Sequence, residues 1–154
     1  MTCTNEKKLA YRIGKLFETR DPFAVCREMG IKVIYSPLVD LLGYYQQVDG
    51  IDVICINEGI NLYQSYFVCA HELYHALAHE GENRMYMDRH TYQVPGKREL
   101  AANRFAALFL FPDDDELIEY SEYSLEQLSA VMGLPAELVN WRYEQIVQLP
   151  EGSW

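Results

Sequence analysis

The chain has 154 residues, 49% of them hydrophobic, which is enough for one buried core and short for two, so a single domain over residues 1–154 is expected. Lys and Arg total 13 against 23 Asp and Glu, a net charge of −10; a surface of that sign repels phosphate backbones and anionic lipids, which sets aside nucleic acid and membrane as direct partners. The longest apolar run, Phe105 to Phe111, falls well short of the roughly 20 residues that span a bilayer.

The segment Met1 to Leu9 carries Glu6, Lys7 and Lys8 and leads into no apolar stretch of signal-peptide length, so a cytoplasmic protein is expected. Cys3, Cys26, Cys55 and Cys69 are far apart and form no CxxC pair, which in such a chain favours reduced thiols over disulfides.

Apolar positions Leu9, Ile13, Leu16 and Phe17 recur at helical spacing from Glu6 onward. Asp21-Pro22 starts a second helix that Gly30 stops. Ile31 to Tyr35 is β-branched and bounded by Ser36-Pro37, a strand pattern. Leu42 to Val48 and Ile51 to Ile56 flank Asp49-Gly50, a pair suited to a tight hairpin because both residues tolerate positive φ. These strands predict a small antiparallel sheet.

Asn61 is placed to cap a long helix running to about Glu80 and ended by Gly81. Glu82 to Gly96 reads as a polar loop, and Lys97 to Phe111 as a periodic helix stopped by Pro112. Asp113 to Glu116 suits a helix start, where carboxylates complement the N-terminal dipole; it lacks the alternating ligands and glycine of a calcium loop. Ser124 with Gln127 resembles a capping box, Gly133 breaks the chain, and Pro135 begins a last helix.

His71-Glu72-Leu73-Tyr74-His75 reads HExxH. Helix residues advance about 100° each, so His71 and His75 lie about 40° apart and one turn apart along the axis, within reach of one ion. Glu72 falls at the edge of the same face, placed for proton transfer rather than ligation. Neutral imidazoles with a carboxylate suit zinc, and a catalytic zinc keeps three protein ligands and one open position. Cys69 precedes His71 by two positions and points to the opposite side of the helix. The extended HExxHxxGxxH scheme fails because Ala78 and Gly81 stand where its glycine and last histidine belong.

Glu99, in the first turn of the Lys97 to Phe111 helix, is the expected third ligand; it shares a face with Ala102, Asn103, Ala106 and Leu110, whose small alanines permit close approach. Asn103, one turn on, is expected to accept the second ring N–H of a ligand histidine. His79 continues the stripe but lies a turn too far from His71 to share its ion, and His90 sits in the loop. An oxyanion donor is expected among Tyr74, Tyr86 and Tyr92, with no reason to choose one.

His71 to His79 read HELYHALAH and Glu99 to Pro112 read ELAANRFAALFLFP; in this pair of motifs the chain resembles the ImmA/IrrE family of metallopeptidases. Glu99, Ala102, Asn103, Phe105, Ala106 and Pro112 are in register with the family's second motif, while Phe109 replaces a leucine and Tyr74 stands where many members have glycine. The resemblance implies a zincin-like α+β fold: a small antiparallel sheet packed on the HExxH helix and a second ligand helix, followed by C-terminal helices. It also implies Zn2+ held by His71, His75 and Glu99, catalysis by Glu72, and an endopeptidase whose protein substrate is a repressor-type transcription factor of a phage or mobile element. A substrate strand is expected to add to the edge of the Leu42 to Ile56 hairpin.

Two other classes stay open at this stage. Ser124 to Tyr143 has the outline of a helix-turn-helix regulator, against which stands its near absence of Lys and Arg. A catalytically silent zinc-holding module that recognises a regulator would have no use for Glu72.

Overall fold

The computed structural model describes residues 4–78, 86–88 and 96–147. In them, seven helices and a four-stranded sheet form an α+β fold. Helix α1 (Asn5–Phe17) begins where the Thr4 hydroxyl accepts the Lys7 N–H. Helix α2 (Pro22–Met29) starts under the Asp21 carboxylate, which accepts the Phe23 N–H, and stops at Gly30 in the left-handed conformation.

Strand β1 (Lys32–Ser36) follows, then the hairpin of β2 (Gly43–Val48) and β3 (Ile51–Asn57). Asp49 and Gly50 both take positive φ, 51° and 79°, as the tight turn requires. The hairpin is antiparallel, but β1 pairs with β3 in parallel, so the sheet is mixed where a wholly antiparallel one is expected from the sequence. A strand's residue pattern reports which face is buried and carries no information on the direction of its neighbour. The chain steps from β1 past the place that β3 later fills. Asn57 secures that step: its side-chain amide donates to the carbonyls of Leu38 and Leu41 at 3.1 and 2.9 Å, while Glu58 N–H returns to Ser36 at 3.0 Å.

Strand β4 (Tyr86–Asp88) lies within the segment that reads as a loop, and gives the sheet order β1-β3-β2-β4. Three residues are too few to leave a periodic signal. Because β4 pairs with Gly43, Tyr44 and Tyr45 of β2, that stretch of the hairpin edge is taken, and a substrate strand cannot add there as the sequence suggests. His79, His90, Tyr92 and Gly81 lie outside the described residues.

Tyr45, Ile54 and Ile56 share one face of the sheet and are fully buried beneath helix α3 (Leu62–Ala78). This helix starts in a reciprocal cap: Asn61 Oδ1 accepts the Gln64 N–H at 2.9 Å, and Gln64 Oε1 accepts the Asn61 N–H at 3.3 Å. Its residues from Phe67 to Leu73 are all buried, the mark of a helix surrounded on every side. Neighbours are the sheet, α2, and two helices introduced next, α4 (Lys97–Leu110) and α6 (Leu125–Met132). On α4, Ala102 and Ala106 are fully buried and Phe105 stacks on Phe109 at 5.7 Å.

Helix α5 (Asp114–Glu119) starts at Asp113, whose carboxylate accepts the N–H groups of Asp115 and Glu116. Ser124 and Gln127 close the expected capping box on α6. Helix α7 (Ala136–Val147) packs on α4 and α6 with Leu138, Val139 and Ile146 buried. Arg142, the single cation from residue 113 to 147, is 2% exposed. It donates from Nε and Nη2 to the Phe111 carbonyl at 3.1 and 2.9 Å and from Nη2 to Asp114 at 2.6 Å. The helix-turn-helix outline therefore spends its cation on closing the end of α4 instead of facing a phosphate backbone.

Cys26, Cys55 and Cys69 are buried thiols. Cys69 points toward α2, with its Sγ 3.9 Å from that of Cys26, well beyond the roughly 2.05 Å of a disulfide. Among the described residues no helix is long and apolar enough to cross a membrane.

Candidate metal centre

Helices α3 and α4 pack against each other with the start of α4 beside the second half of α3. That brings Glu99 to both histidines: His71 Nε2 lies 2.8 Å from Glu99 Oε2, and His75 Nε2 lies 2.8 Å from Glu99 Oε1. The ligating atoms of the three all lie within 4.8 Å of one another, and among the described residues no further His, Cys, Asp or Glu joins the group. The imidazoles meet edge-to-face, their planes 70° apart and their centroids 5.0 Å apart, close to one pitch.

Both histidines are sunk in the fold, at 3% and 0% exposure, whereas the Glu99 side chain is 27% exposed. The group thus opens to solvent on the α4 side. Asn103, one turn beyond Glu99, meets His71 Nδ1 through its Oδ1 at 2.7 Å. An amide oxygen only accepts, so Nδ1 carries the proton and Nε2 presents a lone pair. That lone pair faces a carboxylate oxygen, also an acceptor, at 2.8 Å. A ring nitrogen and a carboxylate oxygen so close can share one cation between them, and the three side chains could hold a metal ion. Two neutral imidazoles and one carboxylate form a donor set that fits zinc.

Glu72 is fully buried on the same helix and stands outside the ligating group. Phe67 packs edge-on to His71 at 5.9 Å; Tyr74 packs edge-on to His75 at 6.0 Å and against Phe105 at 5.5 Å. These rings fix the imidazole planes. Burial pushes the Tyr74 phenol above its usual range, with the Glu6 carboxylate adding to the rise. Sequence reasoning does not single out Phe67, although its position one turn before His71 on the same face is the signal that finds it. Tyr86 contributes backbone to β4, and Tyr92 is outside the described residues.

Residues 26–144 match the family model described as the IrrE N-terminal-like domain, a peptidase family. The chain is also similar, at 31% identity over 136 residues, to Uncharacterized immunity region protein 2 of Bacillus phage phi105, a match spanning 87% of this chain and 86% of that protein. With the two motifs folded into one cluster of ligating atoms and the family model matched from α2 to α7, this chain belongs to the ImmA/IrrE family of metallopeptidase-like proteins.

Proposed function

We propose that this protein is a zinc-dependent endopeptidase acting in the cytoplasm, and that it hydrolyses a peptide bond in a repressor-type transcription factor of a phage or mobile element. The carrying observation is the convergence of His71, His75 and Glu99 on one point, with Glu72 beside them on the same helix. The immunity-region name of the phage relative supports a repressor as the partner.

His71, His75 and Glu99 would hold the metal, and Asn103 would keep His71 in the tautomer that ligates. When bound, zinc supplies a Lewis acid that polarises a carbonyl and acidifies water. Glu72 would take a proton from the attacking water and return it to the leaving amine. With Gly43 to Tyr45 of the β2 edge paired, β4 is the outermost strand on that side among the described residues, and its outer edge is where an extended substrate would pair.

Glu72→Gln preserves shape and removes the base. The variant should retain about one zinc per chain by elemental analysis, while cleavage of the repressor encoded beside the gene disappears. Cleavage that survives the substitution overturns the mechanism; loss of zinc in the variant assigns Glu72 to the ligand set instead.

A further inference from the structure

Helical spacing brings His71 and His75 to one face, but it leaves each imidazole to turn about a broad, roughly two-fold χ2 torsion. Other contacts must therefore set the ring planes. For His71 they come from α4, through Asn103 Oδ1 on Nδ1 at 2.7 Å, and from Phe67, edge-on at 5.9 Å.

His75 is reached from α4 by a longer route. Phe105 and Phe109 stack on that helix, their planes 10° apart and their centroids 5.7 Å apart. Phe105, fully buried, meets the Tyr74 ring at 5.5 Å across the α3 and α4 interface. Tyr74 in turn meets the His75 imidazole edge-on, with centroids 6.0 Å and planes 72° apart. Consecutive helix residues point about 100° apart and ordinarily do not face each other. Tyr74 and His75 touch all the same, with Phe105 packed against the same Tyr74 ring. An edge-to-face contact aims the positive edge of one ring at the negative face of the other, which resists rotation of either. An aliphatic side chain of similar bulk fills the space without that preference.

We propose that α4 controls the orientation of His75 through this relay, with Tyr74 as a positioning residue. Phe105 fixes the Tyr74 ring, and the ring, not the hydroxyl, sets the plane in which His75 presents Nε2 toward Glu99. One helix then arranges the whole cluster: Glu99 directly, His71 through Asn103, and His75 through Phe105 and Tyr74. The inference rests on the reading that these three side chains hold the metal. It also removes Tyr74 from the oxyanion donors expected from the sequence.

The test compares Tyr74→Phe, which keeps the ring and loses the hydroxyl, with Tyr74→Leu, which keeps apolar bulk and loses the ring. Tyr74 is only partly buried, so both replacements leave a folded protein, checked by urea midpoint. Zinc affinity, from competition with a chromogenic chelator, should match the parent in Tyr74→Phe and fall roughly tenfold or more in Tyr74→Leu. Phe105→Met should weaken zinc binding in the parent and change nothing further in Tyr74→Leu, where the relay is already cut. In metal-free protein the His75 ring signals, read by NMR of the histidine-labelled chain, should be narrow in the parent and in Tyr74→Phe and broadened in Tyr74→Leu. Phe and Leu variants of equal zinc affinity, or independent effects at Tyr74 and Phe105, overturn the proposal. Repressor cleavage that drops in Tyr74→Phe while zinc affinity holds assigns the hydroxyl to the reaction and overturns it as well. A parent that binds zinc and cuts no repressor removes the peptidase reading and leaves the relay to the affinities. A parent that binds no zinc removes that reading too, and the His75 signals then decide the relay.

Discussion

Asn103 and His71 meet across the α3 and α4 interface through a single hydrogen bond, Oδ1 to Nδ1 at 2.7 Å. If His71 holds the metal as proposed, this contact from the opposite helix would set its tautomer, and metal affinity would depend on a residue that touches no metal. Asn103→Ala leaves the Nδ1–H without its acceptor and frees the other tautomer. Zinc affinity, measured by competition with a chromogenic chelator, should fall about 10- to 100-fold. Asn103→Asp offers an oxygen at the same place and should recover most of the loss. An Ala variant that binds zinc as tightly as the parent would show that Phe67 and the helix alone orient the ring.

Gly133 ends α6 with φ of 71°, and a Cβ built there would meet the Tyr63 carbonyl carbon and oxygen and the Gln64 nitrogen at 2.3, 2.3 and 2.8 Å. All three are backbone atoms at the start of α3, so nothing yields cheaply. Gly30 has nearly the same conformation, φ of 75°, with nothing within 4 Å of the same position. The pair separates conformational cost from collision. Gly30→Ala should lose about 1–2 kcal/mol, the strain of a left-handed non-glycine residue. Gly133→Ala should lose a further ~1–3 kcal/mol from forced overpacking, read as a larger drop in the urea midpoint. Equal drops would mean that the contact between α6 and α3 relaxes freely.

Much of this architecture is legible in the residues because local chemistry decides it. Asp49-Gly50, Gly30 and the Ser124 and Gln127 box each satisfy backbone groups within a few residues, and each forms as expected. The cluster is legible for the same reason in α3, where helical spacing alone aligns His71 and His75; bringing Glu99 to them needs the added fact that alanines on α4 allow close approach. Long-range pairing is less visible. Nothing in Ile31 to Tyr35 says that β1 runs parallel to β3, and the three residues of β4 show no alternation. The buried role of Arg142 is also hidden, because an arginine's spacing does not announce that a helix end three elements earlier lacks a partner.

Alkaline pH should weaken the fold. Burial pushes up the Cys55 thiol and, most strongly of their causes, the phenols of Tyr44 and Tyr143. Tyr143 also donates its hydroxyl proton to the Leu117 carbonyl at 2.7 Å, a bond that ionisation destroys. In the unfolded chain thiols ionise near pH 8.5 and phenols near about pH 10. The folded protein keeps these groups protonated to higher pH, so it binds more protons than the unfolded chain across that range. Stability from this source is intact below about pH 8.5 and declines as pH rises through the raised folded values. Urea midpoints of chelator-treated protein, which removes metal loss as a cause, should fall steadily between about pH 8.5 and 10.5. Cys55→Ala should flatten the first part of the fall and, because the thiol also helps to push up the Tyr44 phenol, reduce that residue's share of the later part while leaving the share of Tyr143. A midpoint that stays constant over the whole interval would mean that these groups ionise in the folded protein as easily as in water.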